Sequence, residues 1–167
     1  MSQIPEAVVG RHTITALVQN EAGTINRLVS LFRRRGFSLE CFNAGDCEQP
    51  GFSRITLVVN ADEAALSQCL KQLDKLIDVV EVEDLKSHES VSRELALIRV
   101  EPSPEDRPRV YAVVGEFLAK TPRASQQGVV VEISAEVADI ERLIEALKPF
   151  NVTEIVRTGT VAIKLNS

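Results

Sequence analysis

The order of strand and helix patterns, run through once and then repeated, constrains this chain more than any single motif in it. Thr13-Ile14-Thr15-Ala16-Leu17-Val18 is rich in β-branched residues and predicts a strand. Ile25, Leu28, Val29 and Phe32 follow at helical spacing, with Gly36 placed to stop the helix. Residues 37–47 predict a weakly alternating second strand, Gln49-Pro50-Gly51 a turn, and residues 52–60 a strand with Ile55, Leu57 and Val59 on one face. Asp62 is placed as the N-cap of a second helix whose apolar stripe runs through Leu66, Cys69, Leu70, Leu73, Leu76 and Ile77. A fourth strand is expected over residues 79–85.

The hydrophilic run Lys86-Ser87-His88-Glu89-Ser90 reads as a linker, and then the order begins again. Residues 95–100 predict a strand, Glu101-Pro102-Ser103-Pro104 a loop, and Val110, Val113, Val114, Phe117 and Leu118 a helix face. A poor strand is expected around residues 123–125 and a good one through Val129, Val131 and Ile133. Val137, Ile140, Ile144 and Leu147 mark a last helix ended by Pro149, and residues 152–165 a closing strand broken at Gly159. The expected fold class is α+β, two tandem ferredoxin-like βαββαβ domains. Its expected divisions are a flexible arm at 1–10, a first domain at 11–85, a linker at 86–92 and a second domain at 93–167. Such a sheet leaves one face and an edge uncovered, so homodimerisation by edge-to-edge extension of the first domain is expected, with any ligand between protomers.

Chemistry is sparse. At 167 residues the chain is long enough for a substantial core, and 44% hydrophobic residues exclude disorder. The formal charge of −5 argues against a non-specific nucleic-acid binder, and Arg33-Arg34-Arg35 complements a helix end. Cys41, Cys47 and Cys69 are odd in number and lack a C-x-x-C spacing, which fits a reducing cytoplasm; Cys69 belongs to a helix stripe. The amino-terminal residues carry no long apolar core and are expected to be neither signal peptide nor membrane span. His12 and His88 have no metal or triad spacing, and Glu81, Glu83 and Asp84 lie on a strand as a solvated sheet face would place them. No catalytic residue, metal site or bound cofactor is expected.

One turn stands apart. In Gln19-Asn20-Glu21-Ala22-Gly23-Thr24-Ile25 a strand passes into a helix, and Gly23 lets backbone approach a ligand without a Cβ in the way. The first N–H groups of that helix have no intrahelical acceptor, so a carboxylate there meets donors and the positive end of the helix dipole. A bare strand-to-helix turn explains the same residues.

Several segments resemble the small regulatory subunits of acetolactate synthase. They are residues 19–23, then Leu31-Phe32-Arg33-Arg34-Arg35-Gly36-Phe37, residues 53–59, residues 71–79, Arg93-Glu94-Leu95-Ala96-Leu97-Ile98 and Ile155-Val156-Arg157-Thr158-Gly159. The resemblance implies an amino-terminal ACT domain and a second domain of similar topology. It implies partnership with a separate catalytic large subunit that uses thiamine diphosphate, Mg²⁺ and FAD, which the small subunit activates and subjects to feedback inhibition by valine. Valine would meet Asn20, Glu21, Ala22, Gly23, Thr24 and Ile25 of one protomer and Ser38 and Leu39 of the other. Relatives commonly carry Asn after the Gly-aromatic pair, where this chain has Ser38, and many ACT motifs carry Pro at Ala22. The Ser38 hydroxyl is shorter but still donates and accepts. Two other readings are a free-standing ACT sensor controlling another enzyme or regulator, and a small enzyme using Cys41 or Cys47.

Overall fold

The computed structural model describes residues 9–165. Most of the expected arm at 1–10 lies outside the described residues. The first six elements are β1 (Gly10–Gln19), α1 (Thr24–Arg35), β2 (Ser38–Asp46), β3 (Phe52–Ala61), α2 (Glu63–Leu73) and β4 (Val79–Leu85). After a single 3-10 turn at Ser87–Glu89 come β5 (Ser90–Val100), α3 (Arg107–Glu116), β6 (Lys120–Ala124), β7 (Val129–Ala135), α4 (Val137–Leu147), β8 (Val152–Arg157) and β9 (Val161–Lys164). The chain is α+β, and its βαββαβ order occurs twice. The described residues up to Val91, with those from Ala162 on, form one compact unit; Ser92–Val161 form the other.

In the first unit the sheet order is β2-β3-β1-β4, and every neighbouring pair is antiparallel. Pairing of Ile14 with Leu57 and Ala16 with Ile55 puts the even-numbered residues of β1 and the odd-numbered residues of β3 on one face. That face, with Val18 and Val59, packs against Leu28, Leu31 and Phe32 of α1 and Leu66, Cys69 and Leu73 of α2. Leu57 is wholly buried, and its truncation to Ala would cost about 2–5 kcal/mol. The opposite face carries the buried cross-strand pair Thr15 and Thr56 and, on β4, Glu81 and Glu83. Lys164 Nζ donates to Glu83 at 2.8 Å, and Lys86 pairs with Asp84 at 2.6 Å.

The second unit repeats the arrangement, with order β6-β7-β5-β8; β9, most of which belongs to the first unit, pairs with β5 off this path. Ala96, Ile98 and Val100 of β5 and Val129, Val131 and Ile133 of β7 pack on Val110 and Val114 of α3 and Ile140, Leu143 and Leu147 of α4. Two segments named above meet here. The carboxylate of Glu94, 5% exposed, pairs with Arg157, which also reaches Glu141. Thr158 adds a backbone donor to Leu95 O at 3.0 Å and accepts from Leu95 N at 3.1 Å.

Four local expectations need correction. The apolar stripe of α2 stops at Leu73: Asp74 caps the helix, and Leu76 and Val79 close successive turns that leave Ile77 86% exposed and bury Asp78. Leu118 leaves α3 at φ 53°, where its N–H and that of Ala119 satisfy the carbonyls of Gly115 and Val114, so it is exposed. The run expected as a linker already contains a helical turn and, from Ser90, the start of β5. The weak strand begins at Lys120 and not near residue 123, whereas the closing strand is broken at Gly159, φ 78°, into β8 and β9 as expected.

Candidate functional site

Where β1 runs into α1, the chain turns through Gly23 at φ 93°, a left-handed conformation that a side chain would strain. Gly23 occupies the N-cap position, no side chain caps the helix, and its first turn has no acidic residue. The first turn of α1 therefore begins without the side-chain acceptors that most helix starts carry. Thr24 N donates to Glu21 O at 3.2 Å and Arg27 N to Gly23 O at 2.9 Å, while Asn20 N reaches Gly51 O at 2.9 Å in the turn between β2 and β3.

That last bond draws the hairpin beside the loop and leaves a cavity of about 150 Å³ between them. From the loop and the first turn of α1 it is lined by Asn20, Glu21, Gly23, Thr24, Ile25 and Asn26. From the sheet come Val18 and Gln19 of β1, Ala44 of β2, and Ser53 and Ile55 of β3. The lining mixes amides, hydroxyls and the carboxylate residue Glu21 with the apolar Val18, Ile25, Ala44 and Ile55. A small amphiphile with a carboxylate at the helix start and an aliphatic group against the strands satisfies both.

Of the eight residues expected to touch a ligand, five line this cavity: Asn20, Glu21, Gly23, Thr24 and Ile25. Ala22 lies exposed in the same loop. Ser38 and Leu39 open β2 opposite Asn60 and Val59, at the other end of the strand from Ala44. Val18, Gln19, Asn26, Ala44, Ser53 and Ile55 were not among the expected ligand residues. The signal that finds the strand residues is the hairpin turn at Gln49-Pro50-Gly51, because its closure sets Ala44 opposite Ile55 and Asp46 opposite Ser53.

Arg27, one turn into α1, donates through Nε to the carboxylate of Asp78 and from Nη2 to Thr24 Oγ1 at 3.4 Å. The hydrogen bond to Asp78 holds Arg27 above the ordinary arginine range against the opposing effect of desolvation.

The remaining reactive side chains lie apart. His12 Nε2 lies 3.1 Å from Ala61 O, and His88 is exposed in the 3-10 turn. Cys69 is 1% exposed, and burial pushes its thiol up to about 11, an inert core group. Cys41 and Cys47 are half-buried and free of disulfides. Among the described residues no group of three His, Cys, Asp or Glu side chains could hold a metal ion, and no helix is long and apolar enough to cross a membrane.

Two βαββαβ units, with an uncapped helix start facing a small cavity in the first, define an ACT-type regulatory protein. Residues 14–81 match the family model described as an AHAS small subunit-like ACT domain, and residues 93–166 match the one described as the small subunit of acetolactate synthase. The chain belongs to the acetolactate synthase small-subunit family. It is 40% identical over 153 residues to the acetolactate synthase small subunit of Bacillus subtilis, covering 91% of this chain and 89% of that protein. Against the small subunit of Mycobacterium leprae it is 40% identical over 152 residues, covering 91% and 90%. The crystal structure of the Thermotoga maritima small subunit superposes with a TM-score of 0.89 at 34% identity, covering 95% of this chain and 99% of that one.

Proposed function

We propose that this chain activates the catalytic large subunit of acetolactate synthase and makes it sensitive to feedback inhibition by valine. Thiamine diphosphate, Mg²⁺ and FAD belong to the catalytic subunit, and this chain supplies the effector site. The observation that carries this reading is the cavity at the uncapped start of α1, polar at Gly23 and aliphatic at Ile25, Ala44 and Ile55. Valine's carboxylate would sit at the helix start and its isopropyl group against the strands.

Both units have the ferredoxin-like arrangement, and the first is an ACT domain that dimerises. β2 is an edge strand. Antiparallel pairing of two β2 edges would carry the start of one strand to the end of the other. Ser38 and Leu39 of one protomer would then lie near Ala44 of its partner, beside the cavity. An effector bridging two protomers binds only the assembled, correctly spaced dimer, so it biases an arrangement that the catalytic subunit senses. Discrimination by size is modest, since one methylene in an apolar pocket is worth about 1–3 kcal/mol; leucine and isoleucine should compete weakly.

The test is reconstitution. Acetolactate formation by the catalytic subunit of the same organism is followed while this chain is titrated in, with and without L-valine, and valine binding to the chain alone is measured by calorimetry. Stimulation that valine reverses is expected. Stimulation with no valine response would remove the effector site, and a free-standing sensor would neither stimulate nor bind the large subunit.

A further inference from the structure

Gly23 is constrained by more than its own backbone. A Cβ built there would meet Arg27 Nη1 at 3.2 Å, so the guanidinium lies directly against the loop. Arg27 does not itself line the cavity; Thr24, which accepts from its Nη2, does. The same guanidinium is paired with Asp78, whose side chain is 8% exposed although that of Arg27 is 44% exposed. Asp78 also accepts, through its carbonyl, from Gln19 N at 2.8 Å. One residue thereby ties together the end of β1, the first turn of α1 and the entry to β4.

The second unit shows which of these ties the fold requires. At the corresponding place Glu101 N, just past β5, donates to Asn151 O at 3.0 Å, just before β8. The backbone bond is therefore common to both units. The side chain, however, does something else: Asn151 Nδ2 donates back to Glu101 O at 3.3 Å. The nearby helix arginine, Arg109, pairs with Asp106 of its own loop and lies over the ring of Phe150. A βαββαβ unit of this kind thus closes there without an ion pair from its first helix to its last strand. The ion pair from α1 to the entry of β4 is an addition, found in the unit whose cavity opens at the helix start.

A loop with no capping side chain loses freedom when a ligand orders it, and prior ordering by the protein removes that cost from binding. We propose that Arg27 and Asp78 form a positioning pair that holds Gly23 and Thr24 in their ligand-ready arrangement, a role that rests on the reading of this cavity as the valine site. The pair acts through the loop and touches no effector atom. Its buried member is the carboxylate, so loss of Asp78 frees Arg27 into solvent, whereas loss of Arg27 leaves a buried carboxylate without its cation.

Calorimetry with L-valine on the full-length protein, together with native-state hydrogen exchange over residues 20–25, tests this. Arg27→Gln and Asp78→Asn should each weaken valine binding about tenfold or more, and the double variant should be little worse than the weaker single one, as members of one unit behave. Exchange should accelerate in the loop while amides of β1 and β3 keep the protection they have in the parent. Arg27→Lys, which retains the charge but not the fork, should recover part of the affinity. Weakened binding accompanied by lost protection throughout the sheet would mean general destabilisation and would overturn the proposal. Parental affinity in both single variants would overturn it too, with the effector site intact. A parent protein that does not bind valine at all would instead sink the effector reading and the pair's role with it.

Discussion

The two units make the same strand-to-helix passage in opposite ways. In the first, Gly23 takes a left-handed conformation, nothing caps α1, and a cavity of about 150 Å³ opens against its first turn. In the second, side chains brace the loop, although α3 too begins without a side-chain cap. Ser103 Oγ accepts from Asp106 N at 3.2 Å and donates to its carboxylate at 2.9 Å, and Arg107 Nη2 donates to the carbonyls of Ser125 and Gln126 at 2.6 Å each. A hollow of about 340 Å³ does exist near the turn between β6 and β7, but no residue of α3 lines it. Shared topology decides where a site could stand. The loop's conformation, and the space it leaves against the helix start, decide whether one is there.

The sharpest way to break this contrast is Gly23→Asp. A carboxylate at that position would strain the backbone, crowd Arg27 and repel the effector's own carboxylate, so valine inhibition of the reconstituted enzyme should weaken about a hundredfold or more. Activation without valine should stay near the parent value, because the substitution leaves the sheet and both helices in place. Inhibition curves that overlay those of the parent would show that the uncapped helix start is not the effector site.

Smaller effects are expected in the second unit. Arg107→Ala would release two carbonyls from a charged donor and should lower stability by about 1–2 kcal/mol, read as a shift in urea midpoint. Valine affinity should remain within about twofold of the parent, since Arg107 and the carbonyls it holds belong to the second compact unit and share no partner with the cavity. If it fell in step with stability, the two loops would not be independent. Ser103→Ala removes one loop acceptor and should cost about 0.5–1 kcal/mol, again with unchanged affinity. A loss larger than that of Arg107→Ala would identify the loop hydroxyl, rather than the arginine, as the main closure.

How much of this was legible in the sequence follows from how local each signal is. The helix stop at Gly36, the cap at Asp62 and the span of β4 are written in neighbouring residues and read directly. Ile77 and Leu118 continued an apolar period on paper; in the fold, tight turns interrupt the helix first, taking up the carbonyls of Leu73 and Leu76 in one place and of Val114 and Gly115 in the other. The cavity shows the same division. Its loop residues share one short motif, whereas Ala44, Ser53 and Ile55 arrive through sheet register. The pair of Arg27 and Asp78 is separated by 51 residues and has no local signature at all.

The bond between Lys164 and Glu83 spans 81 residues, so it is also a statement about time. A chain made at about 5–20 residues per second presents Glu83 several seconds before Lys164 exists. All four strands and both helices of the first unit are by then available to pair, while the face carrying Thr15, Arg54 and Glu83 still lacks the segment that will lie along it. The first unit is thus completed late, by residues synthesised after the whole of the second, and its open sheet face is a surface that the growing chain must carry uncovered in the interval.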